Sequence, residues 1–323
     1  MHIFKNPNLD FVRWRWHAIA LSWVVILAGL LVIWTKGMPK GVEFSGGTIV
    51  ILQFDQNPNV EQVRSALSRG VPGGGNAVVQ QYGPPAARQV MVRVHTAGAE
   101  SGGSLSETAD KVTAAMKQAN LGNFQVVGTE IVGPTVGREL QTRGTLATVF
   151  ALAGILVYIA IRFQMSFAVG AVVATVHDLL ITLAVLAFFR YDLTLNVIAA
   201  ILTITGYSMN DTIVIFDRIR ENMRSMRRDN ISHIVNVAVN QMLDRTLITG
   251  GTTLLSVIAL YFFGGEVLKG FAFTMIVGII TGTYSSVFIA AAIVIIWQGR
   301  KPMKAAPAAP VAPAKKPRRA RAS

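Results

Sequence analysis

Apolar residues dominate six stretches of the chain, each close to the ~18–25 residues that carry a helix across a bilayer. They are His17–Trp34, about Gly144–Ile161, about Phe167–Phe189, Leu195–Phe216, Thr246–Phe263 and about Phe271–Trp297. Between the first and the second, from about Thr35 to Thr142, no apolar run is long enough to span and shorter periods take over. Gly47–Phe54 alternates and is β-branched, which predicts a strand; Val60–Arg69 is apolar at 60, 63, 66 and 67, which predicts a helix. Ala77–Tyr82 and Gln89–His95 read as strands around a Gly-Pro-Pro turn, the Gly/Ser-rich Ala97–Gly103 leads into a helix at Leu105–Ala119, and Phe124–Val132 is a last strand. The order β-α-β-β-α-β is the split unit of ferredoxin-like domains. The expected fold class is an α-helical polytopic membrane protein with six transmembrane helices plus one α+β ferredoxin-like (βαββαβ) domain.

The connections refine this picture. Gly133–Leu140 reads as a linker into the second span, and Arg162–Ser166 and Arg190–Thr194 are short turns. Asp217–Asp244 is polar, but its second half is apolar at 231, 234, 235, 238, 239, 242 and 243, the spacing of an amphipathic helix lying against protein or membrane. Gly278 and Gly282 have the small-xxx-small spacing of closely approaching helices. The first span lacks a small-x-small cleavage site at its end and reads as an uncleaved anchor. The expected organisation is a terminal segment over 1–16, the first span over 17–34, the folded domain over 35–142, a five-helix bundle over 143–297 with the amphipathic segment at 217–244, and a basic, Ala/Pro-rich, low-complexity tail over 298–323.

Composition agrees: 52% of the 323 residues are hydrophobic and only 15% charged. The formal net charge of +13 invites a nucleic-acid reading until the basic residues are located, because they sit beside the spans. With six spans both termini share one side. That side holds Lys5, Arg13, Arg15, Arg162, the arginines of 218–245 and a tail with eight basic and no acidic residues; the short opposite loops hold Arg190 and Lys269. The positive-inside rule makes the terminal side cytoplasmic and the domain at 35–142 periplasmic or extracellular, as expected of a multi-pass membrane protein. The chain contains no cysteine, so disulfides and thiolate metal sites are excluded.

One stretch breaks the apolar pattern from within. Leu202–Asn222 places Asp211 inside a span, with Thr203, Thr205, Gly206, Tyr207, Ser208, Asn210 and Thr212 around it, before ending in the charged run Asp217–Asn222. A carboxylate at that depth marks an ion or proton pathway by default; the alternative is a structural carboxyl bonded to a neighbouring Thr or Asn. His177-Asp178 is a second ionisable pair, halfway along the third span, and reads as helix packing or relay support. Four runs, Gly41–Thr48, Gly206–Asn222, Asp244–Gly250 and Phe262–Gly265, resemble the SecD/SecF family of bacterial protein-export membrane proteins, on its SecF side, from about Asp10 to Trp297. The resemblance implies an inner-membrane location with the domain periplasmic, a proton-coupling role for Asp211 with Arg245, and structural motif glycines at Gly41, Gly46, Gly47 and Gly206; the polar residues of the spans themselves add His177, Asp178, Thr205, Tyr207 and Asn210 as relay or packing support. It also implies a heterodimer with SecD, association with the SecYEG channel and with YajC and YidC, unfolded preprotein as substrate, and use of the proton-motive force, with H⁺ as coupling ion and Na⁺ as the alternative. Arg245 has a simpler reading, an arginine snorkelling to headgroups at a helix end.

Other function classes fare less well. Gly46-Gly47 and Gly73-Gly-Gly75 lie in neither nucleotide-binding pattern, and the five histidines show no ligand spacing, so no cofactor or metal is expected. An intramembrane aspartyl protease using Asp178 and Asp211 would need two carboxylates sharing a proton, and the Gly-x-Gly-Asp signature of that class is missing. A proton-driven efflux subunit of the resistance-nodulation-division type, exporting a small molecule or lipid, is the alternative; such pumps usually carry twelve spans in one chain. The expected function is therefore that of a transport subunit rather than an enzyme.

Overall fold

A computed structural model of the chain describes residues 8–57, 59–94, 102–162 and 164–299; the first seven residues, His95, most of the Gly/Ser-rich stretch and the tail beyond Gly299 lie outside the described residues. Helix α1 (Phe11–Lys36) starts where the Asp10 carboxylate accepts from the Arg13 amide and stops at Gly37, whose φ of 68° a side chain would oppose. A four-residue helix α2 (Val42–Ser45), absent from the sequence reading, follows and ends in Gly46 and Gly47, both at positive φ. There the chain turns into the sheet.

The sheet domain contains β1 (Gly47–Phe54), α3 (Val60–Gly70), β2 (Val78–Tyr82), β3 (Gln89–Val94), α4 (Gly102–Gln118) and β4 (Phe124–Val132). Its four strands are antiparallel in the order β2-β3-β1-β4, which is the ferredoxin-like arrangement. Alternation divides the residues of β1 between two faces. Val50, Leu52 and Phe54 pack with Val63, Leu67, Val112 and Met116 of α3 and α4, whereas Ile49 joins Met91 and Val42 on the other side. One layer of helices thus covers one face, and the opposite face looks toward α2 and the bundle. A bulge between Ile51 and Leu52 shifts the β1/β4 register.

Six helices are long and apolar enough to cross a membrane. After α1 these are α5 (Pro134–Arg162), α6 (Met165–Phe188), α7 (Leu195–Ser225), α8 (Ile231–Phe263) and a sixth built from α9 (Glu266–Ser285), a π-turn (Ser286–Ala290) and α10 (Ala291–Gly299). Two of the polar connections are helical too: the linker after Gly133 belongs to α5, and the amphipathic stretch at Ile231–Asp244 is not a separate helix but the start of α8. Burial separates centre from periphery. Half or more of the apolar windows of α6, α7 and the sixth helix is buried, against 17% for α8 and 6% for α5.

Small residues set the closest approaches. A Cβ at Gly29 of α1 would fall 2.1 Å from the Ala184 Cβ of α6, and one at Gly278 of α9 2.2–2.4 Å from three carbons of the Ile204 side chain on α7. The second member of that spacing, Gly282, meets Ser208.

Candidate functional site

Helix α7 divides its polar residues between two faces. Thr205, Ser208, Asp211 and Thr212 are buried, while Thr203, Gly206 and Asn210 are exposed and Tyr207 lies half-buried between them. The neighbours predicted to surround Asp211 therefore separate. Asn210 and Gly206 face outward, with nothing within 4 Å of a Cβ built at Gly206. The Tyr207 hydroxyl lies toward Gly250 and Thr253 of α8, and the Thr205 hydroxyl turns back to the Ile201 carbonyl at 2.8 Å.

Asp211 is 4% exposed, and its Oδ2 is buried without a hydrogen-bond partner among the described residues. Arg245 of α8 attracts it through space. The described ion pairs do not include one between them, and the arginine is itself exposed. A buried, incompletely satisfied carboxylate is costly to keep ionised. Thr283 Oγ1, on α9 near Gly250, is another buried oxygen without a partner among the described residues.

The His177-Asp178 pair of α6 has the opposite character, since both side chains are buried and bonded. His177 Nδ1 pairs with Asp178 Oδ1 at 2.9 Å, and its Nε2 with Ser22 Oγ of α1 at 2.8 Å. Asp178 Oδ2 accepts from Ser208 of α7 at 2.5 Å and from Ser285 of α9 at 2.8 Å. Tyr284 extends the set, pairing with Ser22 at 3.2 Å and donating to the Ala18 carbonyl at 2.6 Å. Four helices are thus tied through one carboxylate and one imidazole, immediately before the π-turn, a feature frequent at functional sites. A void of about 10 Å³, lined by Thr175, Asp178, Thr182 and Thr205 among others, adjoins the network and could hold about one water. Ser208 is three residues before Asp211, so both sets share α7.

Sequence reasoning missed Ser22, Tyr284 and Ser285. Single hydroxyls are common in spans, and the one nearby signal was the small-xxx-small spacing of Gly278 and Gly282, a turn before Ser285. It also missed the junction between domain and bundle. Arg93 of β3, 6% exposed, pairs with Asp192 in the α6–α7 turn at 2.5 Å. Beside it Gly41 N donates to Leu193 O and Leu193 N to Pro39 O, both at 2.8 Å. A Cβ at Gly41 would lie 2.2 Å from Glu43 Oε2 and 3.1 Å from Leu193 O, so this glycine permits the contact. Gly137 of α5 fits against the backbone of α2 in the same way. A cavity of about 350 Å³ opens here, lined by Glu43, Arg93, Glu130, Asp192 and Lys269 among others. Burial raises the Glu43 carboxyl above the usual carboxylate range; its own backbone amide and Arg93 oppose this, and Glu130 and Asp192 add to it.

A six-span bundle with an acid buried at mid-helix, a hydrogen-bonded polar core and a sheet domain docked on one end has the architecture of a membrane transport subunit. Known proteins narrow this. The family described as "Protein export membrane protein SecD/SecF, C-terminal" matches residues 111–300, and the "SecD/SecF GG Motif" matches residues 31–58. The chain is 41% identical over 295 residues to the protein translocase subunit SecF of Desulfurispirillum indicum, covering 90% of this chain and 92% of that one. It is 42% identical over 294 residues to that of Pseudomonas aeruginosa, covering 91% and 92%. The crystal structure of SecDF, a translocon-associated membrane protein from Thermus thermophilus, superposes with a TM-score of 0.81 at 34% identity over 91% of this chain, which spans 39% of that longer one. The chain belongs to the SecD/SecF family, in its SecF branch, and works with SecD in protein export.

Proposed function

We propose that this subunit lets protons cross its helix bundle at Asp211 and uses the change of charge there to move the sheet domain during preprotein export. The single observation that carries this reading is the buried Asp211 oxygen without a hydrogen-bond partner, opposite an arginine that attracts it without pairing. Ionised, Asp211 draws Arg245 and the middle of α8 toward α7; protonated, it releases them. Coupling requires the two charge states to favour different arrangements by a few kcal/mol, since a proton bound equally in both shifts nothing. His177, Asp178 and Thr205 serve as the fixed polar support, and Gly41, Gly46 and Gly47 seat the domain on the bundle.

In this reading the terminal side is cytoplasmic and the domain at 35–142 periplasmic, supported by the arginines at 13, 15, 162 and 218–245 on the terminal side. The outward stripe Thr203, Gly206 and Asn210 would sit in lipid if the chain were alone, and SecD covers it. SecYEG, YajC and YidC are the wider partners, with an unfolded preprotein as cargo. The test is Asp211→Asn in reconstituted vesicles with SecD and the channel. The complex should assemble normally and lose gradient-dependent export; a variant that exports as well as the native chain ends the proton-coupling assignment.

A further inference from the structure

A cleft of about 400 Å³ lies where α1 and α8 both begin, at the end of the bundle remote from the sheet domain. Its lining includes Asp10, Arg13, Arg15, Trp16, Ser232 and His233. Arg15 Nε is buried and has no hydrogen-bond partner among the described residues, while the guanidinium lies 5.8 Å from the Trp16 ring centroid. The one carboxylate of the lining, Asp10, is engaged in capping α1 through the Arg13 amide at 3.0 Å. Asn236 and Asn240 of α8 hold the chain on the other side: Phe11 N donates to Asn236 and Leu9 N to Asn240, and both amide groups return a bond to Leu9 O. The cleft is therefore a fixed concavity, with two guanidiniums and an imidazole on its walls beside the capped starts of α1 and α8.

Its position narrows the ligand. Trp14 and Trp16 are more than half exposed, and the apolar run of α1 begins immediately after them, so the cleft opens at the level where a bilayer changes from headgroup to acyl chain. We propose that it binds the phosphate of an anionic phospholipid, with Arg13 and Arg15 as the charged contacts and the acyl chains lying along α1. A basic, aromatic-edged pocket at that depth matches a ligand that is anionic at one end and apolar at the other. The proposal stands independently of proton movement at Asp211.

The experiment is native mass spectrometry of the full-length protein in detergent, titrated with phosphatidylglycerol, with phosphatidylcholine and inorganic phosphate in parallel. One phosphatidylglycerol should bind in preference to phosphatidylcholine. Arg13→Gln with Arg15→Gln should weaken it roughly 10- to 30-fold at low salt, from two lost charges near a membrane surface. Arg13→Lys with Arg15→Lys should recover much of the binding, and Arg224→Gln with Arg227→Gln, at the same end of the bundle but outside the cleft, should change it less than threefold. Asp211→Asn should bind as the native chain does, which keeps the outcome separate from the transport reading. Equal binding of phosphatidylcholine, equal loss in the Arg224/Arg227 control, or displacement of the lipid by millimolar inorganic phosphate would each overturn the assignment, the last by making the site one for free phosphate.

Discussion

Asp192→Asn tests whether the sheet domain is held on the bundle by charge. Arg93 is 7% and Asp192 24% exposed in their side chains, and they meet at 2.5 Å. Removing one partner of a buried pair costs about 3–5 kcal/mol, chiefly because the other charge is left in the interior. Two features reduce the figure here. Asp192 is partly in water already, and Glu43 is close enough to Arg93 for the two to attract each other. About 2–3 kcal/mol remains, and at 1.36 kcal/mol per tenfold this corresponds to roughly 30- to 150-fold easier opening of the junction. Hydrogen exchange measured in lipid nanodiscs reads this directly, because the Gly41 and Leu193 amides bond across the junction. Both should exchange faster by about that factor, while Val50, deep in the sheet, should not change. Replacing both partners, Arg93→Leu with Asp192→Leu, removes the stranded charge and should return exchange most of the way to the native rate. Unchanged exchange at Gly41 and Leu193 in the single variant would show that backbone bonds and apolar packing hold the domain, and the electrostatic account would be wrong.

Two other predictions follow from the same geometry. Gly278→Ala should destabilise the bundle by about 1–3 kcal/mol, because the new methyl meets Ile204 at 2.2–2.4 Å; a lower thermal midpoint in detergent checks it, with Gly206→Ala, which meets nothing within 4 Å, as the tolerated comparison. Glu43 carries a pH signature: its folded carboxyl is raised by burial, with Glu130 and Asp192 adding and Arg93 opposing, so the folded state holds a proton that the unfolded state has released. Its stabilising contribution is complete below the ordinary carboxylate range and is lost as pH rises through the raised value. Glu43→Gln should accordingly raise the thermal midpoint at neutral pH and flatten its dependence on pH across that window; an unaltered slope would remove Glu43 as its source.

The strands could be read from the chain because short β-branched runs between turn residues report themselves locally: Gly47–Phe54 and Phe124–Val132 form strands over the residues expected. Helix starts were harder to find. The polar first turns of α5 and α8 lie outside the apolar runs, and hydropathy does not register them, although Pro134 at the head of α5 is a start signal. Nothing between Asp244 and Thr246 breaks a helix, which is why the amphipathic stretch continues into the span. Asp211, His177 and Asp178 stood out as ionisable residues in apolar surroundings. Ser22 and Ser285 did not, since their importance comes from what lies opposite in space. Arg93 and Asp192 are 99 positions apart, and each alone looks like an ordinary surface charge.

The hydroxyl of Ser208 clasps Asp178 three residues ahead of Asp211, and that spacing limits which helix can act as the lever. Twisting α7 to swing its acid into a new environment would tear the serine away from Asp178 and loosen α1, α6 and α9 together. The apolar half of α8 is held less closely, with only 17% of its apolar window buried, whereas its first turns are bonded to Leu9 and Phe11 through Asn236 and Asn240. In the proton coupling proposed above, α7 is therefore the fixed element, and the apolar half of α8 beyond Arg245 is the part that shifts against it.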